Sequence, residues 1–166
     1  MLRQRIPSFS LLICFCKEMA ITLPQGTPRL VIADDSEAIL RVVTRFLANR
    51  FDLVGICRDG KAAVQTAMEL APDAILLDIR MPFIDGIKVA RQLRAASLGS
   101  KIIMLTSMED TSCVDSAMAA GADGFVFKRK MATDLIKAID TVLGGGNFIS
   151  SDCELRRDPE LTLNFV

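Results

Sequence analysis

The chain has 166 residues, with 20 Lys and Arg against 20 Asp and Glu, and 51% of it is apolar. That length and apolar share suit one domain with its own core and exclude a wholly disordered chain, while the balanced charge leaves no basic footprint for nucleic acid. Histidine is absent, which removes Ser-His and Cys-His triads, imidazole zinc sites and any phosphoryl-carrying histidine of the chain's own.

The opening MLRQRIPSFSLLICFCKEM imitates a signal peptide, but Lys17 and Glu18 stand where small residues should precede a cleavage site. No apolar run reaches the ~18–20 residues that cross a bilayer. Met19 begins MAITLPQGTPRLVIADD, a natural start for a domain whose first strand opens near Leu30. Residues 1–28 are therefore expected to be an N-terminal extension, flexible or including a misassigned start over 1–18. Five cysteines, Cys14, Cys16, Cys57, Cys113 and Cys153, form no C-x-x-C pair. Their odd number and irregular spacing predict a reducing compartment, with Cys57 and Cys113 as packing residues.

From residue 30, apolar runs alternate with segments of helical period. LVIA at 30–33 reads as a strand. Ser36 to Asn49 reads as a helix, with Ile39, Leu40, Val43, Phe46 and Leu47 on one side and Ser36 or Asp35 available as cap. DLVGIC at 52–57 is a second strand, and Gly60 to Leu70 a helix ended by Pro72. AILLDI at 74–79 is a third strand, apolar on both faces, followed by a helix from Gly86 to Ala96. KIIMLT at 101–106 is a fourth strand, and Thr111 to Ala120 a helix closed by Gly121. GFVFK at 124–128 is a fifth strand, and Met131 to Leu143 a helix stopped by three glycines. Strands apolar on both faces, alternating with helices, predict a doubly wound α/β fold with a five-stranded parallel sheet. The domain is expected over 29–146, and 147–166 is expected to be a polar tail.

In such a sheet, ligands bind beyond the carboxyl ends of the strands. Asp34 and Asp35 end the first strand, Asp78 the third, Thr106 and Ser107 the fourth, and Lys128 the fifth. Each has a plainer role when taken alone. Asp35 could cap a helix, Asp78 open a turn, Thr106 satisfy a loop amide and Lys128 be a surface charge. Together they gather three carboxylates, a hydroxyl and one ammonium on one edge. The excess of negative charge calls for a hard divalent cation with oxygen ligands, for which Mg²⁺ is suited. A carboxylate beside that cation and a lysine can act as a nucleophile toward a phosphoryl group.

This constellation resembles the receiver domain of bacterial two-component response regulators. The resemblance covers about residues 29–149 and rests on VIADDSE, ILLDIRMPFIDG, IIMLTS and AGADGFVFK, in that order. It implies a flavodoxin-like sheet of order 2-1-3-4-5. It implies Asp78 as phosphoacceptor, and Mg²⁺ held by Asp34, Asp35, Asp78 and the backbone carbonyl of Arg80. Thr106 and Lys128 would contact the phosphoryl group, and Phe125 would move inward as the aromatic switch when Thr106 is drawn to the phosphate. A plain core aromatic is the other reading of Phe125, since its ring lacks a hydroxyl. The fourth helix, fifth strand and fifth helix would form the output surface.

Arg80 and Met108 occupy the two positions that tune phosphoryl lifetime in the family. A thioether orients water poorly, so slow self-dephosphorylation is expected. Many receivers carry Pro after the lysine, often with a cis bond, but Arg129 stands here. A trans bond is expected, because a non-proline cis bond costs ~2.5–4 kcal/mol.

GGGNFIS looks most like receivers that carry a C-terminal helix-turn-helix, yet only 20 residues follow Gly146. A stand-alone receiver, or one whose output domain is lost or cut away, is expected, without direct nucleic-acid binding. The implied partners are a sensor histidine kinase or phosphotransfer protein and a downstream protein, with a homodimer also open. The implied location is the cytoplasm. The chain would catalyse its own phosphotransfer and dephosphorylation but serve chiefly as a switch. The rival reading is a receiver-like interaction module that needs no phosphorylation. A flavodoxin is disfavoured, because DDSE would repel a flavin phosphate. A haloacid-dehalogenase phosphatase is disfavoured, because Ile79 and Arg80 follow Asp78 where a second acid is needed. No G-x-x-x-x-G-K-[ST] loop is present for an NTPase.

Overall fold

A computed structural model describes residues 26–107 and 111–150. The expected extension, up to residue 25, and the segment from residue 151 lie outside the described residues. The elements run β1 (Arg29–Ala33), α1 (Glu37–Leu47), β2 (Asp52–Cys57), α2 (Gly60–Leu70), β3 (Ala74–Leu77), α3 (Gly86–Ala95), β4 (Lys101–Thr106), α4 (Thr111–Ala119), β5 (Gly124–Phe127), α5 (Met131–Leu143) and β6 (Phe148–Ile149). A single 3-10 turn, Lys128–Lys130, joins β5 to α5.

All strand pairs are parallel, in the order β2-β1-β3-β4-β5-β6. The doubly wound fold is as expected, with one strand more than the five that periodicity shows. The added strand is two residues long, too short for an alternation pattern to register. It pairs Gly124 with Phe148 and Phe125 with Ile149.

Alternation along the strands builds two apolar layers. Val31, Ile75, Leu77, Ile102, Met104, Phe125 and Phe127 face α2, α3 and α4. Leu30, Ile32, Leu76, Ile103, Leu105 and Val126 face α1 and α5. Burial of each such side chain contributes ~1.5–3 kcal/mol, so the central strands are the most firmly held part of the molecule.

Three helices begin on side-chain caps. Ser36 accepts from the Ile39 amide, Asp59 from Ala62 and Asp85 from Lys88. Two glycines let the loops close on the sheet's carboxyl edge. A Cβ at Gly86 would strike the Asp78 carbonyl, and one at Gly60 the Ile84 carbonyl. Phe83 at the tip of the β3–α3 loop lies at φ 66 and is 87% exposed, a left-handed turn that a bulky side chain rarely adopts.

Gly86→Ala is expected to lower stability by ~1–3 kcal/mol through overpacking against β3. Gly99→Ala, where nothing lies within 4 Å of the new methyl, should change it by about 0.5 kcal/mol or less. Denaturant titration of the two variants checks the contrast.

Candidate functional site

The parallel ladder carries two aspartates one step past their strands. The Asp34 amide donates to the Cys57 carbonyl at 3.1 Å, and the Asp78 amide to the Ala33 carbonyl at 2.8 Å. Both residues are thus held at sheet register rather than in free loops. Asp34 is 1% exposed and Asp78 5%. Lys128, at the end of β5, reaches back so that its Nζ lies 2.6 Å from Asp34 Oδ2 and 3.3 Å from Asp78 Oδ1. Asp35 is exposed at the rim, and the carboxylates of Asp34, Asp35 and Asp78 bring oxygens within 4.8 Å of one another.

The helix caps decide between the two roles open to the first-strand pair. Ser36, not Asp35, caps α1. Asp34 turns one oxygen to the chain, where Oδ1 accepts from the Ser36 amide at 2.9 Å. Its Oδ2 accepts no aligned hydrogen bond, although the ammonium stands 2.6 Å away. The two form a short ion pair, with the ammonium off the line of a directed bond. A buried carboxylate oxygen in that state has coordinating capacity left over.

Charge and burial act on Asp78 together. Burial pushes its carboxyl above the usual carboxylate range; the Lys128 charge opposes this, and the Asp34 charge adds to it. One ammonium serves two buried carboxylates, with a third at the rim. These oxygen donors fit a hard divalent cation such as Mg²⁺. Arg80, whose carbonyl is the fourth expected ligand, is exposed and lines a shallow groove with Asp35, Ile79, Met81, Pro82 and Asp85.

Thr106 ends β4, buried and opposite Phe127 in the ladder. Phe125 lies on the same face two residues before Phe127 and is wholly buried, with its ring edge-on to the Phe127 ring at 5.3 Å. The ring is therefore already inward. The Arg129 guanidinium stacks on the outer side of this pair, 4.6 Å from the Phe127 centroid. The peptide after Lys128 is trans, within the 3-10 turn. Met108 lies outside the described residues.

The site thus brings together Asp34, Asp35, Asp78 and Lys128, with Arg80 at its mouth and Thr106 one strand away. Sequence reasoning missed two supporting residues. Gly86 lets α3 close on the Asp78 carbonyl, and its only signal was the Asp-Gly pair that opens the helix. Arg129 is the second: besides replacing a proline in the backbone, its side chain covers the Phe127 ring.

Comparison with known proteins agrees on one family. A family model described as the response regulator receiver domain matches residues 30–140. The transcriptional regulatory protein LnrK of Bacillus subtilis is 32% identical over 140 residues, covering 83% of this chain and 60% of LnrK. The chemotaxis protein CheY of Halobacterium salinarum is 31% identical over 115 residues, 69% of this chain and 96% of CheY. The signal receiver domain of NarL from Mycobacterium tuberculosis superposes with a TM-score of 0.68 at 31% identity, covering 72% of this chain and 98% of that domain. The chain spans 60% of LnrK and 56% of the DegU protein of Brevibacillus brevis.

A carboxyl whose pKa is raised by folding destabilises the fold when ionised. Without metal, stability should therefore fall as pH rises from the ordinary carboxylate range through the raised value of Asp78. Metal-free Asp78→Asn should melt several degrees above the natural chain at neutral pH. The gap should close once acid protonates Asp78 in both folded and unfolded chains. Thermal melts at a series of pH values check this.

Proposed function

Because the chain belongs to the response regulator receiver domain family, we propose that Asp78 accepts a phosphoryl group from the phosphohistidine of a partner kinase or phosphotransfer protein. The observation that carries this reading is the meeting of Asp78 with Lys128, at 3.3 Å, beside one further buried carboxylate and one at the rim. The chain has no histidine, so the donor must be another protein or a small phosphodonor.

An oxygen of Asp78 attacks the phosphorus. The bond from phosphorus to the donor nitrogen breaks, its electron pair stays on the imidazole, and an acyl phosphate forms on Asp78. In this reading Lys128 neutralises charge on the phosphoryl oxygens, and the Thr106 hydroxyl donates a hydrogen bond to one of them. Asp34, Asp35, Asp78 and the Arg80 carbonyl are the ligands assigned to Mg²⁺. When bound, the ion supplies Lewis-acid neutralisation of the same oxygens. Asp78 must be ionised to attack, so its raised pKa ties phosphoryl acceptance to pH and to the positive charge around it.

The phosphorylated state shifts a two-state equilibrium through Thr106 and Phe125 toward the inward ring, and the α4, β5 and α5 surface reads the outcome. A phenyl ring has no polar tip to favour an outward position, which supports the inward placement of Phe125. The downstream reader is a protein partner or a second copy of the chain. The chain works as a switch in the cytoplasm. No helix among the described residues is long and apolar enough to cross a membrane.

Incubation with acetyl phosphate and Mg²⁺ should add about 80 Da by intact mass, the mass of one phosphoryl group, and Asp78→Asn should abolish the adduct. No adduct, or one that survives the substitution, would favour a phosphorylation-independent interaction module. Mg²⁺ should raise the melting temperature of the natural chain, and Asp35→Asn should remove most of that rise. With Arg80 and Met108 at the lifetime positions, the purified phosphoprotein should lose its label over minutes or longer. A half-life of seconds would refute that assignment.

A further inference from the structure

The edge of β5, in the middle of the surface assigned to output, is already occupied by the chain's own β6. After α5 the backbone turns at Gly144–Gly146, with Gly145 at φ 90, and runs back parallel to β5. The Phe148 amide donates to the Asp123 carbonyl at 3.1 Å, and the Ser150 amide to the Phe125 carbonyl at 3.0 Å. Ile149 is the ladder partner of Phe125. The side chains split between the two layers. Phe148 packs into the layer on the α1 and α5 side of the sheet, while Ile149 packs into the layer that holds Phe125 and Phe127. Ser150 is wholly buried, and its hydroxyl donates to Asp134 Oδ2 at 2.8 Å. The other oxygen of Asp134 accepts from the Thr133 hydroxyl at 2.8 Å.

A two-residue edge strand has little stability of its own. These contacts hold it, and those of Ile149 and Ser150 fall on Phe125 and on the first turn of α5. The docked strand and the inward ring occur together, and Ile149 fills the layer beside that ring. A coupling between the two acts by the same factor in both directions.

We propose that residues 147–150 are a strap that secures Phe125 inward, and that phosphorylation of Asp78 tightens it; the second half rests on the phosphoacceptor reading above. The strap then carries the state of the site to the edge of the sheet.

The test follows the Phe148 and Ser150 amides by NMR hydrogen exchange in the full chain, before and after acetyl phosphate with Mg²⁺. Intact mass of the same sample reports the phosphoryl adduct. Exchange at both amides should slow by about fivefold or more, with central-strand amides in β1 and β3 unchanged. Ser150→Ala should speed exchange at both amides and slow phosphorylation of Asp78 severalfold. An adduct without a change in exchange overturns the strap alone and leaves the phosphoacceptor reading intact. Absence of an adduct overturns both. Faster exchange in Ser150→Ala with an unchanged phosphorylation rate reduces the strap to a structural contact and overturns the coupling.

Discussion

Two buried carboxylates face one ammonium at the carboxyl edge of the sheet, and the rest of the structure answers to that imbalance. Lys128 lies 2.6 Å from Asp34 and 3.3 Å from Asp78. Opposite charges in a low-dielectric site attract strongly, but burial of an unbalanced charge is costly. Burial beside a second carboxylate pushes the Asp78 carboxyl up, against the pull of Lys128. A core of parallel strands is what can hold such a site in place. The amides of both aspartates remain in the ladder, and the strands behind them are buried on both faces. The uncompensated negative charge favours any cation that enters the site and restores the balance.

Around that centre the acidic and hydroxyl residues divide the work. Ser36, Asp59 and Asp85 cap α1, α2 and α3. Asp35 is thereby left free of the capping role, with its carboxylate at the rim. Burial pushes the Asp85 carboxyl up, but its hydrogen bonds and ion pair with Lys88 outweigh this, and the pKa is lowered. Asp85 is thus an ionised cap, seven residues from an acid whose pKa is shifted the opposite way. Environment separates the two, as one is half-open to solvent beside a cation and the other is buried against a second carboxylate. Gly86, immediately after the cap, provides the close approach that lets α3 seat against Asp78.

The far side of the sheet has its own anchor. Arg94 of α3 donates to the Gly121 carbonyl at 2.9 Å and pairs with Asp123 at 2.6 Å. Asp123 in turn accepts from the Ile102 amide and lies 3.3 Å from Lys101. The start of β5 is therefore tied to α3, α4 and β4, while its end bears Lys128 and the Arg129–Phe127 stack. Between these ends sit Phe125 and the short strand β6. A movement at the site thus meets a fixed corner on one side, and the one lightly held strand of the sheet on the other.

The amino-acid sequence by itself determined the alternation of strands and helices, the parallel sheet, and the identity of the residues at its carboxyl edge. Continuous apolar runs such as AILL and KIIMLT can be satisfied only between two layers of helices, and the polar residue that follows each run must then fall at the edge. That is why Asp34, Asp78, Thr106 and Lys128 could be named without coordinates. Only the tertiary structure decided which hydroxyl or carboxylate caps α1, which oxygens Lys128 reaches, and that Phe125 lies inward beside its ladder partner Ile149. It also decided that Phe148 and Ile149 form a sixth strand. Each of those outcomes depends on contacts between segments far apart in the chain. A two-residue strand and a single cap carry too little local pattern to declare themselves, and they exist because the sheet edge and the acidic site were already built for them to meet.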